Sequence, residues 1–213
     1  GLDGRNSAQA ICGVTTYESG TVILNGETVR FTHPLQSMQK KLGYLPEDRQ
    51  VQGLVLDWSI FRNITLPSLR KYSTAAGLNS KQERQDGEAF RKKLSIRTKD
   101  IDEKVSALSG GNQQKVVFAK LLNLDLNVLI LDEPTKGVDV GAKSQIYSIM
   151  SDLAEQGYAI ILISSEMPEV LAMSDRIGVM HEGSLVKILD RKEATQEKML
   201  AYAMNSADTM LKD

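Results

Sequence analysis

Two short stretches of this chain carry residue types and spacings suited to chemistry. In Leu108-Ser109-Gly110-Gly111-Asn112-Gln113-Gln114-Lys115 a glycine turn opens a predicted helix whose first turn holds no acidic residue. Without Cβ atoms at Gly110 and Gly111, backbone N–H groups can approach a ligand closely. The first four N–H groups of the helix also lack internal partners and lie at the positive end of its dipole. The fitting guest is an anion, phosphate above all, although the same residues also suit a capped loop before a buried helix. The second stretch, Val128-Leu129-Ile130-Leu131-Asp132-Glu133-Pro134, is an apolar run too short for a helix and ends in two carboxylates. A buried parallel strand that delivers acids at its C-terminal end is where α/β sheets place metal and phosphate chemistry. Side chains alternate along a strand, so only one of Asp132 and Glu133 is expected to be buried towards the metal side, and paired solvent-facing carboxylates are the alternative.

Together these stretches resemble the signature and Walker B motifs of an ABC-transporter ATPase domain, and the likeness covers nearly the whole chain. The form LSGGNQQK, in place of the commoner LSGGQ, is similar to the second nucleotide-binding domain of the tandem ATPase in bacterial monosaccharide importers of the ribose, galactose and xylose type. The resemblance implies one domain over residues 1–213 with an α/β, P-loop NTPase fold of ABC type. Its parts would be a mixed central sheet, an antiparallel β layer and a helical subdomain over approximately 59–122. It also implies ATP and Mg²⁺ as ligands. By this likeness Asp132 holds Mg²⁺ through water, and Glu133 orients and polarises the attacking water. Ser109, Gly110, Gly111, Asn112 and Gln113 face ATP bound by a partner domain, and Asp139 is the D-loop aspartate that reaches across the nucleotide sandwich. Gly111 is expected to need a positive φ, and aspartate placed there to be harmful through its charge more than its Cβ.

Several positions depart from the family pattern. Gly1-Leu2-Asp3-Gly4-Arg5-Asn6-Ser7 reads as a damaged phosphate loop, with Gly4, Arg5, Asn6 and Ser7 as its nucleotide-facing remnant and the strands that should precede Gly1 missing; a frayed terminus is the alternative. The lysine that reaches the β- and γ-phosphates is absent, and the planar fork of Arg5 replaces it poorly. Glu47, in Pro46-Glu47-Asp48-Arg49, stands where most relatives carry a glutamine; it could reach Mg²⁺ through water or belong to a solvated charge cluster. Ser165 occupies the place of the switch histidine, and its hydroxyl donates one hydrogen bond without charge.

The elements that must position these residues follow from hydrophobic pattern and turn chemistry. Thr21–Leu24 and Thr28–Phe31 flank Asn25-Gly26 as a type I′ hairpin, and His33-Pro34 starts a short helix to Lys40, with His33 a cap or surface residue. Leu42–Leu45 is a strand, and Ser59–Lys104 is mostly helix and linker. Within it Trp58, Phe61, Ile64 and Leu66 would line or support a groove for the permease's coupling helix, by resemblance. A helix spans Gln113–Leu122. Ile146, Ile149, Met150 and Leu153 mark an amphipathic helix that Gly157 ends. Ala159–Ile163 is a strand; Ile177–Met180, the turn Glu182-Gly183, and Leu185–Leu189 finish the sheet; Thr195–Met204 closes as a helix.

Composition bounds the function. At 213 residues and 41% hydrophobic the chain suffices for one α/β domain with a subdomain, and a net charge of −1 with no basic stripe argues against nucleic-acid binding. A single cysteine, Cys12, excludes an internal disulfide and fits a reducing compartment, its expected role being a buried small hydrophobe. No apolar run reaches the ~18 residues that span a bilayer, so membrane association is expected through a partner. The likeness implies half of an asymmetric pair at the cytoplasmic face of the bacterial inner membrane. Its own site would be degenerate, and its signature would act on ATP held by the first ATP-binding domain of the same polypeptide. Permease subunits and, indirectly, an extracytoplasmic sugar-binding protein are the other partners, and the sugar itself is not legible here. A soluble ABC-type ATPase of translation or repair, and a non-catalytic regulatory or dimerisation domain, are the alternatives.

Overall fold

Helix α1 occupies Leu2–Ile11, and the chain turns out of it at Gly13 with φ 74°. A Cβ there would lie 2.8 Å from the His33 backbone nitrogen and 2.9 Å from the Phe31 Cβ, so only glycine passes. The computed structural model describes residues 2–204 and divides into two units, Gly1–Ser37 with Ile161–Asp213, and Met38–Ile160. In the first unit β1 (Val22–Leu24) and β2 (Glu27–Val29) pair antiparallel around Asn25 (φ 52°) and Gly26 (φ 80°), the two positive φ angles of a type I′ turn. Helix α2 (Pro34–Gln39) follows, and Nδ1 of His33 accepts a 3.2 Å hydrogen bond from the Leu35 N–H, which makes His33 a cap.

The unit Met38–Ile160 begins its sheet with β3 (Leu42–Leu45), after which Asp48 accepts the N–H groups of Gln50 and Val51 and opens a π-helical turn over Arg49–Gly53. A helical arm comes next. It holds α3 (Ile60–Thr65), a 3₁₀ segment, the two-residue strands β4 (Ser73–Thr74) and β5 (Gly77–Leu78), and α4 (Ser80–Lys93). Gly87 lets α4 lie against α3, since a Cβ on it would come within 2.7 Å of the Phe61 Cβ. Buried polar pairs brace the arm: Thr65 Oγ1 donates to Glu83 Oε1 at 2.8 Å, and Asn123 Nδ2 donates to Ser68 Oγ at 2.7 Å. Phe61 and Ile64 are buried, whereas Trp58 is 44% exposed and Leu66 half-buried.

Helix α5 (Gly110–Leu122) buries Val116, Val117, Phe118 and Ala119, and β6 (Val128–Asp132) runs parallel to β3 in the register Leu42↔Val128 to Leu45↔Leu131. Leu129, Ile130 and Leu131 have essentially no exposed surface, as an apolar run between two layers requires. Helix α6 (Val140–Glu155) buries Ile146, Ile149, Met150 and Leu153. It ends in a Schellman pattern: Gly157 takes φ 91°, its N–H donates to the Ala154 carbonyl, and the Tyr158 N–H donates to that of Leu153. Strand β7 (Ala159–Ile163) follows. Its first residue donates to the Asn127 carbonyl, and the sheet order β3-β6-β7 leaves β6 central.

In the first unit again, α7 (Met167–Met173) precedes β8 (Arg176–His181) and β9 (Ser184–Asp190), joined by Glu182 (φ 44°) and Gly183 (φ 83°), and α8 (Gln196–Met204) closes the described chain. The sequence pattern places β8 and β9 in the central sheet. Among the described residues they instead pair with each other alone, as a two-stranded ribbon. The reason is local cover: Ile177, Val179 and Leu189 bury themselves against Ala194 and Met199, with Tyr202 of α8 packed on them. No helix of the described residues is long and apolar enough to cross a membrane.

Candidate functional site

Strand β6 delivers Asp132 at its C-terminal end with no exposed surface, and Tyr44 of the neighbouring β3 donates its hydroxyl to Asp132 Oδ2 at 2.8 Å. Glu133 is also buried, at 7% exposure, so the two carboxylates are not a solvent-facing pair. The alternation rule stops applying because Glu133 takes φ 48°, which ends the pleat at Asp132 and turns the second carboxylate off the strand direction. The Lys136 N–H then donates to the Glu133 carbonyl at 3.0 Å, and Gly137 (φ 67°) completes the turn.

The signature residues open α5, with Ser109 as extended N-cap and Gly110 as the first helical residue. Neither Gly110 nor Gly111 has the positive φ expected of the turn, and their requirement for glycine is steric. A Cβ on Gly110 would lie 2.7 Å from Arg49 Nη2 and 3.0 Å from the Gly137 carbonyl oxygen, and one on Gly111 would lie 2.4 Å from the Ala142 Cβ. Asn112 Nδ2 donates to Ser109 Oγ at 3.0 Å, while its Oδ1 accepts the Arg97 N–H at 2.9 Å. Gln113 departs from the group it was expected to join. It is 3% exposed, donates to the Val105 carbonyl and accepts from Gln50 Nε2, so its amide lies in the core, while Ser109 is exposed and Gly110 and Asn112 are half-buried.

A cleft of about 180 Å³ fronts that face, lined by Ser109, Gly111, Asn112, Arg97, Lys115 and Asp139 among others. Asp139 is the N-cap of α6, its Oδ1 accepting the Ala142 N–H at 2.9 Å, which holds its carboxylate near Gly111. Lys115 is buried and donates to the Ser95 carbonyl at 2.8 Å; burial lowers its pKa, and the Arg97 charge lowers it further. The lining thus combines a helix start and an exposed arginine, which suit an anion, with the carboxylate of Asp139.

Glu47 forms an ion pair with Lys136, which ties the Pro46–Arg49 segment to the turn after Glu133. Arg49 adds to the tie: Nη1 donates to the Lys136 carbonyl at 2.7 Å and Nη2 to that of Gly137 at 3.1 Å. Burial lowers the Arg49 pKa, with Asp48 opposing the shift. Sequence reasoning assigned nothing to Tyr44, Arg49 or Lys136. Their bonds join residues some 87 to 89 positions apart, and the only local signal was an arginine closing a charged run.

In the other unit, Gly4, Arg5, Asn6 and Ser7 lie in the first turns of α1 and not in a loop. A Cβ on Gly4 would meet only Ile163, at an ordinary 3.5 Å, so packing alone does not require glycine there. Gly1, the start of the loop reading, lies outside the described residues. Ser165 is exposed in the bend between β7 and α7. Among the described residues no three His, Cys, Asp or Glu side chains converge into a metal-ligating group. Mg²⁺ held through one carboxylate, with phosphates and water completing its octahedron, needs no such cage, and the buried strand-end carboxylate of Asp132 suits that part.

The family model described as ABC transporter matches residues 7–136. Over 195 residues the chain is 47% identical to the ribose import ATP-binding protein RbsA of Bacillus cereus and 46% identical to that of Lactococcus lactis subsp. cremoris. Each match takes in 92% of this chain but only 39% and 40% of those proteins, so the chain spans about two fifths of their length. Among solved structures, it is similar to a dimer of the ATP-binding cassette MJ0796 in a post-hydrolysis state bound to ADP and Pi (TM-score 0.74, 18% identity, 89% of this chain and 81% of that one). It is also similar to the cassette MJ1267 of an ABC transporter (TM-score 0.76, 17% identity, 90% and 78%). The fold is that of an ABC ATPase cassette, a P-loop NTPase, and with the family model spanning more than half of its length the chain belongs to the ABC transporter family.

Proposed function

We propose that this chain is an ATP-binding domain of a bacterial sugar importer, coupling ATP binding and hydrolysis to uptake of a monosaccharide of the ribose type. The observation that carries the reading is the 47% identity to a ribose import ATP-binding protein across 92% of the chain. The whole chain, 1–213, is one cassette with its helical subdomain at about 59–122, and it is the second cassette of a tandem ATPase. The LSGGNQQK form supports this. It works with the first cassette, with permease subunits at the cytoplasmic face of the inner membrane and, through them, with an extracytoplasmic sugar-binding protein.

Ser109, Gly110, Gly111 and Asn112 present N–H groups and side chains to the γ-phosphate of ATP held by the first cassette, with Asp139 beside them. Asp132 would hold Mg²⁺ through water, and the ion would neutralise charge on the phosphates. Glu133 orients and polarises water. The domain's own site is weak, because Gly4 to Ser7 and Glu47 offer no lysine to the phosphates and Ser165 offers one uncharged donor. The test is reconstitution of the full ATPase with its permease in vesicles, alongside the isolated domain. Ribose uptake driven by ATP is expected, with turnover by the isolated domain well below the ~1 s⁻¹ typical of enzymes. Absence of sugar-dependent uptake would remove the importer reading, and fast turnover by the isolated domain would remove the weak-site reading.

A further inference from the structure

We propose that Arg49 is a positioning residue that holds the signature turn and the turn after Glu133 in one fixed geometry. The inference rests on the reading that the signature turn faces ATP held by the partner cassette. The two terminal nitrogens of one guanidinium grip consecutive carbonyls, Lys136 at 2.7 Å and Gly137 at 3.1 Å. Such a grip suits a planar fork, whose two terminal nitrogens take one carbonyl each in a fixed geometry that the flexible ammonium of a lysine does not impose. Glycines make room on both sides. The missing Cβ of Gly110 leaves 2.7 Å to Nη2, and that of Gly137 leaves 3.6 and 3.7 Å to Nη2 and Nη1. The guanidinium therefore lies between the first residue of α5 and the Lys136-Gly137 turn, touching both.

The base of Arg49 is itself anchored. Asp48 caps the π-helical turn that starts at Arg49, and Gln50 Nε2 donates to Gln113 of α5 at 3.1 Å. The Glu47–Lys136 ion pair ties the same two segments a second time. Two residues after Gly137 comes Asp139, which caps α6 beside Gly111, so the position of the D-loop carboxylate against the signature N–H groups is set through Arg49. A displacement of about 1 Å in groups that must meet a phosphate costs on the order of 100-fold in rate, so a tether of this kind acts on turnover.

The experiment uses the full tandem ATPase with its permease and compares Arg49→Ala, Arg49→Lys, Gly110→Ala and the double variant Arg49→Ala/Gly110→Ala. Both Arg49 variants are expected to lose about 10-fold or more in kcat, with KM for ATP within about 3-fold, because ATP is held by the other cassette. Amide hydrogen exchange over 136–139 should speed up about 10-fold or more in each. Gly110→Ala should be damaging alone, because its methyl meets both the guanidinium at 2.7 Å and the Gly137 carbonyl oxygen at 3.0 Å, whereas adding it to Arg49→Ala should cost clearly less than it does alone, a non-additivity expected only of groups in contact. If the alanine variant fails to fold, kcat and exchange in Arg49→Lys decide the matter. Turnover within about 2-fold of the parent, unchanged exchange over 136–139, or strictly multiplicative losses would overturn the proposal. Gly111→Asp is measured beside them. If it leaves transport intact, the signature reading itself fails; if it abolishes transport while Arg49→Ala works normally, the Arg49 proposal alone fails.

Discussion

Gly111 packs so tightly on Ala142 that a Cβ on the glycine would come 2.4 Å from that of the alanine, closer than real Cβ atoms approach. Bulk therefore acts at 111 beside the charge that an aspartate would bring. Gly111→Ala should lower stability by about 1–3 kcal/mol through overpacking and reduce transport with it. Combining it with Ala142→Gly should restore most of both, less the ~1 kcal/mol helix penalty of the new glycine. Gly111→Asp should keep its transport defect in the Ala142→Gly background, because the carboxylate still meets phosphate charge. Melting temperature and uptake for the four variants separate the two causes; equal recovery of the Ala and Asp variants would show that bulk is the whole effect.

Removal of the Tyr44 hydroxyl takes away the donor that lies 2.8 Å from buried Asp132 Oδ2. Tyr44→Phe should cost about 1–3 kcal/mol, the range for hydrogen bonds to charged groups in buried settings. Urea unfolding monitored by far-UV circular dichroism measures it. In Asp132→Asn, Tyr44→Phe should cost clearly less, and equal costs in the two backgrounds would mean that the bond contributes little.

Cys12 is 1% exposed, and burial pushes its thiol up to about 12 from 9.0. The native thiol should react with a maleimide at pH 8 far more slowly than the urea-unfolded chain does. A raised thiol pKa means that the unfolded chain loses its proton first. The stabilisation is complete below pH 9 and falls by about 1.4 kcal/mol per pH unit as pH rises towards 12. Cys12→Ala should flatten that part of the stability curve. An unchanged slope in the variant would assign the alkaline loss to other groups.

Gly87 lies against Phe61, where a Cβ would sit 2.7 Å from the Phe61 Cβ and 3.1 Å from its Cα. Glycine to alanine inside a helix ordinarily stabilises by up to about 1 kcal/mol. Here the neighbour includes backbone, and Gly87→Ala is expected to destabilise by about 1–3 kcal/mol instead. Thermal unfolding of the domain reads the sign directly, and a rise in melting temperature would show that α4 moves aside freely.

Features legible in the sequence are those whose cause is local. Asn25-Gly26 and Glu182-Gly183 specify their hairpins through two positive φ angles each, and Gly157 ends α6 where the 3.6-residue apolar pattern stops. The apolar run Val128–Leu131 specifies a central strand by burial alone. What stayed hidden depends on residues distant in the chain. Gly110 and Gly111 suggested a turn with unusual backbone angles, yet their cause is crowding by Arg49, Gly137 and Ala142. Gly4 to Ser7 read as a loop by motif, yet they take helical backbone in α1. The inward turn of Gln113 depends on Val105 and Gln50, neither marked by any pattern.

Glu133 holds φ 48°, a backbone that a long side chain adopts at a cost of about 1–2 kcal/mol relative to glycine or asparagine. A designer asked only for a sturdier cassette would put glycine there, and screens for thermal tolerance should recover that replacement. Under the proposed role for its carboxylate, such variants would be durable and inactive. At this one position, selection for work and selection for endurance pull in opposite directions.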